Sequence, residues 1–202
     1  MRQIVDLRKQ KPELKVLLSI GGWGSGRFSE MAANDEYRCA FAADCDRVVK
    51  EFALDGIDID WEYPTSSMAN ISSSPDDTEN FTLLMQDIRA AIGNEKELTL
   101  ATVASARYID FKAILPSVDF VNIMAYDMAS APKHHSALYP SGHSGDITSD
   151  GAVTAHLKAG VPPSKLVMGM PFYGRGGDGY PSFQDYNKVG NTDTQYTEKW
   201  DE

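Results

Sequence analysis

The segment Asp55-Gly-Ile-Asp-Ile-Asp-Trp-Glu-Tyr-Pro64 (DGIDIDWEYP) decides how this chain is read. Gly56–Trp61 is a strand candidate. Side chains alternate between the two faces of a strand, so Asp58, Asp60 and Glu62 point one way and Ile57, Ile59 and Trp61 the other. Asp58 and Asp60 stand roughly 6.6 Å apart along such a strand. Three acids on one face of an apolar strand are costly to bury unless they are hydrogen-bonded or share protons. Both aspartates ionised at once is unfavourable there, so one raised pKa is expected. Glu62 comes last, at the carboxyl end, where a carboxyl beside aromatics can hold a proton near neutral pH and act as a general acid. Isolated aspartates near strand ends often only cap helices, but that does not explain three on alternate positions. Acids are also hard-cation ligands, yet acids from one strand alone make a poor coordination shell. Catalysis is therefore the expectation, with no metal and no cofactor. Asp55 is expected to support the turn into the strand, and Trp61 to pack outward against helices.

Working outward, four more apolar runs have strand length: Val16–Ile20, Leu98–Val103, Phe120–Met124 and Leu166–Met170. Helical patterns separate them. Glu36–Phe52 places Tyr37, Phe41, Val48, Val49 and Phe52 at near-helical spacing. Thr78–Ile92 puts Phe81, Leu84, Met85, Ile88 and Ile92 on one face, with Asp77 or Thr78 able to cap its start and Gly93 able to end it. Ser149–Ala159 is shorter and stops at Gly160. This rhythm predicts a parallel α/β sheet, since parallel strands need crossover connections. The segments Gly21–Asp35, Pro64–Asp77 and Ala125–Thr148 are rich in Gly, Ser, Asn and Pro. The last exceeds the usual limit of about 12–15 residues for a structureless loop, which marks it as functional. Such post-strand segments build the active site of a (β/α)₈ barrel. That fold needs eight strands and typically about 250 residues, so the alternatives are an open doubly wound sheet or an incomplete TIM barrel.

The 202 residues carry 19 basic and 29 acidic side chains, a net charge of −10. That balance disfavours nucleic acid or an anionic membrane as partner. No apolar run approaches the roughly 18 residues of a spanning helix. Hydrophobic residues at 42% and charged residues at 24% exclude wholesale disorder. The two cysteines, Cys39 and Cys45, would lie about 9 Å apart on one helix, beyond the roughly 7 Å reach of a disulfide, so free thiols are expected. His134, His135 and His143 fall in the 125–148 loop and read as solvent-exposed loop residues.

DGIDIDWEYP matches, without a gap, the D-x-x-D-x-D-x-E signature of glycoside hydrolase family 18, the chitinase family. Three further segments resemble family motifs in the family's order. Ser19-Ile-Gly-Gly-Trp23 is similar to the S-x-G-G motif of the third barrel strand. Met124-Ala-Tyr-Asp-Met128 is similar to the sixth-strand motif, and Met170-Pro-Phe-Tyr-Gly-Arg175 to the end of the seventh. The resemblance implies an incomplete TIM (β/α)₈ barrel of about five parallel strands, with strands one, two and eight absent. It also implies one partial catalytic domain over 1–202, in which Trp200 and residues from about 176 onward begin a small α+β insertion.

The implied activity is hydrolysis of β-1,4-linked N-acetylglucosamine in chitin or its oligosaccharides by substrate assistance, for which family 18 is an exception to the two-carboxylate scheme. Glu62 would be the acid, Asp60 would orient the acetamide, Asp58 would exchange a proton with Asp60, and Tyr126 would donate to the acetamide oxygen. Asp127, Met124, Trp23, Tyr63, Tyr173 and Arg175 are the implied substrate contacts. Tyr63, Phe172 and Tyr173 can be site wall or core. Ser19 and Gly21 are read as small packing residues, and the Glu62–Tyr63 peptide is expected to be cis. Alternatives are an endo-β-N-acetylglucosaminidase on N-glycans and a non-catalytic sugar-binding lectin; Glu62 argues against the lectin. The family implies a secreted or extracytoplasmic protein and no oligomer for the whole protein. The chain alone, with two open sheet edges, is expected to self-associate and to turn over weakly.

Overall fold

The structure, a computed structural model, describes residues 1–175. Trp200 and the insertion expected from residue 176 therefore lie outside the described residues. Five parallel strands form one sheet: β1 (Leu17–Gly21), β2 (Gly56–Asp60), β3 (Glu97–Val103), β4 (Phe120–Met124) and β5 (Leu166–Met168). Their order in the sheet is their order in the chain. A doubly wound sheet reverses direction at a switch point, whereas a barrel wall does not. The sheet is thus a stretch of TIM-type wall, and the doubly wound alternative falls.

The helices are α1 (Arg2–Val5), α2 (Phe28–Ala32), α3 (Asp35–Phe52), α4 (Asp77–Ile92), α5 (Phe111–Ile114) and α6 (Ser149–Lys158). The three long ones were expected to within a residue or two. Asn34 caps α3 by accepting the Tyr37 N–H at 3.0 Å, with Asp35 and Glu36 in the first turn, where the helix dipole favours acids. Gly93 closes α4 at a φ of 77°. Neither Asp77 nor Thr78 occupies the cap position of α4; Asp76 does, without a side-chain bond. The fully buried Asp77 turns back instead, accepting from Ser29 Oγ at 2.7 Å and from the Ser74 and Thr65 N–H groups at 2.7 and 3.1 Å. It thereby ties α2 to the loop that follows the acid-bearing strand.

The carbonyl-end loops and the opposite end of the sheet are built differently. At the amino ends an acid just before one strand binds the start of its neighbour. Asp55 accepts the Val16 N–H at 2.5 Å and pairs with Arg8; Asp119 accepts the Leu98 N–H at 2.7 Å and pairs with Arg89. Asp55 therefore supports the turn, as expected. Lys165 adds bonds to the Leu115 and Val118 carbonyls.

One face of the sheet meets the helices. Ile57, Ile59 and Trp61 are fully buried there among Leu84, Met85, Ile88, Leu98 and Leu100. Trp61 stacks on Phe28 at 5.4 Å and meets Phe81 edge-on at 5.6 Å. Among the described residues β1 and β5 are the sheet edges. β5 is shorter than the Leu166–Met170 run, and Val167 and Met168 are exposed on this edge. Cys39 is exposed, Cys45 is buried and both are free. Replacing Trp61 by Ala leaves a cavity between Phe28 and Phe81, and urea unfolding is expected to show a loss of about 3–5 kcal/mol, the range for Trp-to-Ala in cores.

Candidate active site

The other face of β2 carries the acids. The register sets Ser19, Asp58 and Thr99 in one row across β1, β2 and β3. Asp58 Oδ2 accepts from Ser19 Oγ at 2.7 Å, and Oδ1 accepts from Thr99 Oγ1 at 2.6 Å and Asn122 Nδ2 at 3.1 Å. Three neighbouring strands thus supply Asp58 with donors. Ser19 was read mainly as a packing residue; the structure adds that its hydroxyl is one of those donors. Gly21 does make room: a Cβ there would lie 1.9 Å from the Asp60 carbonyl oxygen.

Asp60 is treated differently. Its Oδ1 is buried and accepts no hydrogen bond among the described residues. Burial, then the charges of Glu62 and Asp58, push its pKa up to about 6. This is the raised value that two stacked aspartates require. Glu62 follows on the same face, and its peptide bond to Tyr63 is cis, as expected. Its carboxyl is also pushed up, by burial first and by Asp127, while contacts with Tyr63 and the Trp23 backbone pull the other way. Burial and the surrounding acids raise the Tyr126 phenol.

Above these groups opens a cavity of about 1060 Å³. Of the expected site residues, Trp23, Asp60, Glu62, Tyr63, Met124, Tyr126, Asp127 and Arg175 line it, whereas Asp58 and Tyr173 stand behind. Trp23 is 60% exposed and meets Tyr63 edge-on at 6.4 Å. Phe172 is 77% exposed and is not among the lining residues. Gly169 makes room for the Tyr126 ring, since a Cβ would come within 2.9 Å of it.

Asp127 is the hub of the far wall. Arg175 grips both its oxygens, through Nε at 2.6 Å and through Nη2, and Tyr173 Oη donates at 3.0 Å. Burial would raise the Asp127 pKa, but the Arg175 and Tyr173 hydrogen bonds outweigh it and hold the carboxyl below its ordinary value. Asp127 is thus pushed toward the anion, whereas Asp60 and Glu62 are pushed toward their protonated forms. His134 and His135 are not solvent-exposed loop residues, because the 125–148 loop folds back: both are half-buried, and His135 lies against Asp127 and Tyr173. His143 is exposed and its ring stacks on His134 at 5.7 Å.

The sequence reading missed Arg107 and Tyr108, which line the cavity after β3; Tyr108 stacks on Tyr63 at 5.4 Å. That segment is short, so loop length gave no signal, although its place after a strand did. Thr99 and Asn122 were also missed. Their signal was a polar residue inside an apolar run, as in FVNIM.

A family model, Glycosyl hydrolases family 18, matches residues 1–202. The chain belongs to this family. It is 38% identical to chitinase A1 of Niallia circulans over 89% of this chain and 29% of that protein. It is 36% identical to chitotriosidase-1 of Mus musculus over 86% of this chain and 41% of that protein. It is also similar to the crystal structure of the chitinase domain of the spore coat protein CotE from Clostridium difficile. That match has a TM-score of 0.88 and 37% identity, covering 99% of this chain and 61% of that one. The chain thus spans less than two thirds of each of these relatives.

An acid whose buried Oδ1 accepts no bond among the described residues has a thermodynamic signature. A carboxyl whose folded pKa lies above its unfolded one binds extra protons between the two values, so it removes stability as pH rises from about 4 through about 6. Asp60→Asn is therefore expected to be more stable than the parent by about 1–3 kcal/mol at pH 8, at roughly 1.4 kcal/mol per pKa unit, and to lose that advantage below about pH 4. Chemical denaturation at the two pH values measures it.

Proposed function

We propose that the chain carries the catalytic face of a hydrolase that cleaves β-1,4-linked N-acetylglucosamine in chitin or chitooligosaccharides by a substrate-assisted, retaining route. The observation that carries this reading is Asp60: its buried Oδ1 accepts no bond among the described residues, its pKa is raised, and Glu62, also raised, stands next to it in an open cleft. An acetamide N–H is the donor it lacks.

The chemistry then follows from the positions. Glu62, whose proton affinity burial and Asp127 raise, gives its proton to the glycosidic oxygen. The acetamide carbonyl oxygen of the same sugar attacks the anomeric carbon as the glycosidic bond breaks, forming an oxazolinium ion. Asp60 accepts the acetamide N–H and offsets the positive charge. Asp58, held by its three donors, exchanges a proton with Asp60. Tyr126 donates its hydroxyl to the acetamide oxygen, its raised pKa keeping the proton in place. Asp127, held ionised by Arg175 and Tyr173, takes sugar hydroxyls. Water then attacks the anomeric carbon from the face the leaving group vacated, Glu62 takes its proton, the bond from the anomeric carbon to the acetamide oxygen breaks, and configuration is retained. Separation of the protein carboxylates does not decide the stereochemistry, because none is the nucleophile. Trp23, Tyr63 and Tyr108 offer stacking surfaces for the sugar rings. A polymeric substrate of this kind also places the protein outside the cytoplasm; among the described residues no helix is long and apolar enough to cross a membrane.

Turnover of a fluorogenic chitobioside by the purified chain tests the reading, with light scattering alongside to follow edge-driven self-association. Glu62→Gln is expected to lose at least the 10²–10⁴-fold typical of general acid–base catalysis. A parent without turnover, or a Glu62→Gln variant at the parental rate, overturns the assignment. NMR of the first product is expected to show the β-anomer from a β-linked substrate; initial α-anomer excludes retention.

A further inference from the structure

His135 is where the loop after β4 returns to the site, and its contacts converge on one residue. Asp127 has a φ of 54°, in the left-handed region that non-glycine residues seldom occupy, so its backbone needs partners to stay there. His135 supplies them. The Asp127 N–H donates to His135 Nδ1 at 3.2 Å, and the next amide, Met128 N–H, donates to the His135 carbonyl at 2.9 Å. Ser136 Oγ adds a bond to the Ala125 carbonyl at 2.7 Å. On its other side the imidazole packs on the Tyr173 ring, with centroids 5.3 Å apart, and meets the Tyr173 backbone carbonyl. One ring therefore spans the segment after β4 and the segment after β5.

We propose that His135 is a positioning residue: it holds Asp127 in the orientation in which Arg175 and Tyr173 clamp the carboxylate at the wall of the cleft. This inference rests on the hydrolase reading above. A neutral imidazole has one ring proton. With Nδ1 accepting from the Asp127 N–H, that proton sits on Nε2. Burial favours this neutral form, against the pull of Asp127, with the Arg175 charge helping to keep the ring unprotonated. His135 touches no reacting atom. Its effect reaches the chemistry through Asp127, whose charge helps keep the Glu62 proton in place.

Three variants separate positioning from bulk stability. His135→Asn keeps a side-chain acceptor and a donor, His135→Phe keeps the ring against Tyr173 but neither hydrogen bond, and His135→Ala removes both. The readouts are amide hydrogen exchange at Asp127 and Met128 by NMR, kcat and KM on a chitooligosaccharide, and Tm. In His135→Phe and His135→Ala we expect Asp127 amide exchange to accelerate at least ~10-fold. In the same two variants kcat/KM falls ~10–100-fold, the scale on which a misplacement of about 1 Å acts, with kcat carrying the loss. His135→Asn restores both. Parental kcat/KM and parental Asp127 protection in His135→Phe overturn the proposal, as do losses in all three variants that simply follow Tm. A parent that turns nothing over ends the hydrolase reading instead, and the Asp127 amide in His135→Phe against His135→Asn then decides the positioning claim by itself.

Discussion

Asp60 is an acid placed where its charge is unwelcome. It lies between two other carboxyls on one face of β2, its inner oxygen is buried, and among the described residues nothing donates to that oxygen. A folded protein satisfies nearly all its buried polar atoms, so an orphaned carboxylate oxygen is an exception that calls for a cause. The neighbouring Asp58 shows that the sheet can supply donors: one position lower on the same face, Ser19, Thr99 and Asn122 converge on it. The sheet therefore saturates one rung of the ladder and leaves the next one open.

The rest of the architecture keeps that rung in place. Trp61, between the acids in sequence but on the opposite face, is clamped by Phe28 and Phe81, which fixes the pleat that points Asp60 and Glu62 into the cleft. At the far end of the sheet, Asp55 and Asp119 are bound to backbone amides and to arginines, so acids there serve stability. The same residue type thus does opposite work at the two ends of a strand. Donors surround the acids at the amino end, and acids crowd one another at the carboxyl end. This is the division between stability face and active-site face that parallel barrels share.

How much of this was legible depended on how local the cause was. The ladder was legible because strand alternation is a two-residue rule, and it needed no knowledge of neighbours. The long helices α3, α4 and α6 were legible from periodicity; the single-turn α2 and α5 were not, since four or five residues carry no period. The donor role of Ser19 was missed because a small residue in a strand is equally consistent with packing, and that role depends on the β1–β2 register. Thr99 and Asn122 depend on pairing across further strands. His135 was misread because loop composition says only that a segment is polar, not that it turns back onto Asp127. Residues from 176 onward fall outside what the structure describes.

The two kinds of acid in the cleft are tuned by opposite means, and the pairing explains why neither suffices alone. Asp127 is exposed enough to be ionised and is locked so by Arg175 and Tyr173. Its fixed charge raises the Glu62 pKa, and the charge of an ionised Glu62 in turn raises that of Asp60. Removing the Asp127 charge would lower the Glu62 pKa, and a more readily ionised Glu62 would push the Asp60 pKa further up. The order of the proton affinities is therefore not a property of any single carboxyl. It is set first by burial and then by how close each stands to a cation, a donor or another acid, and the clamp on Asp127 is one end of that chain.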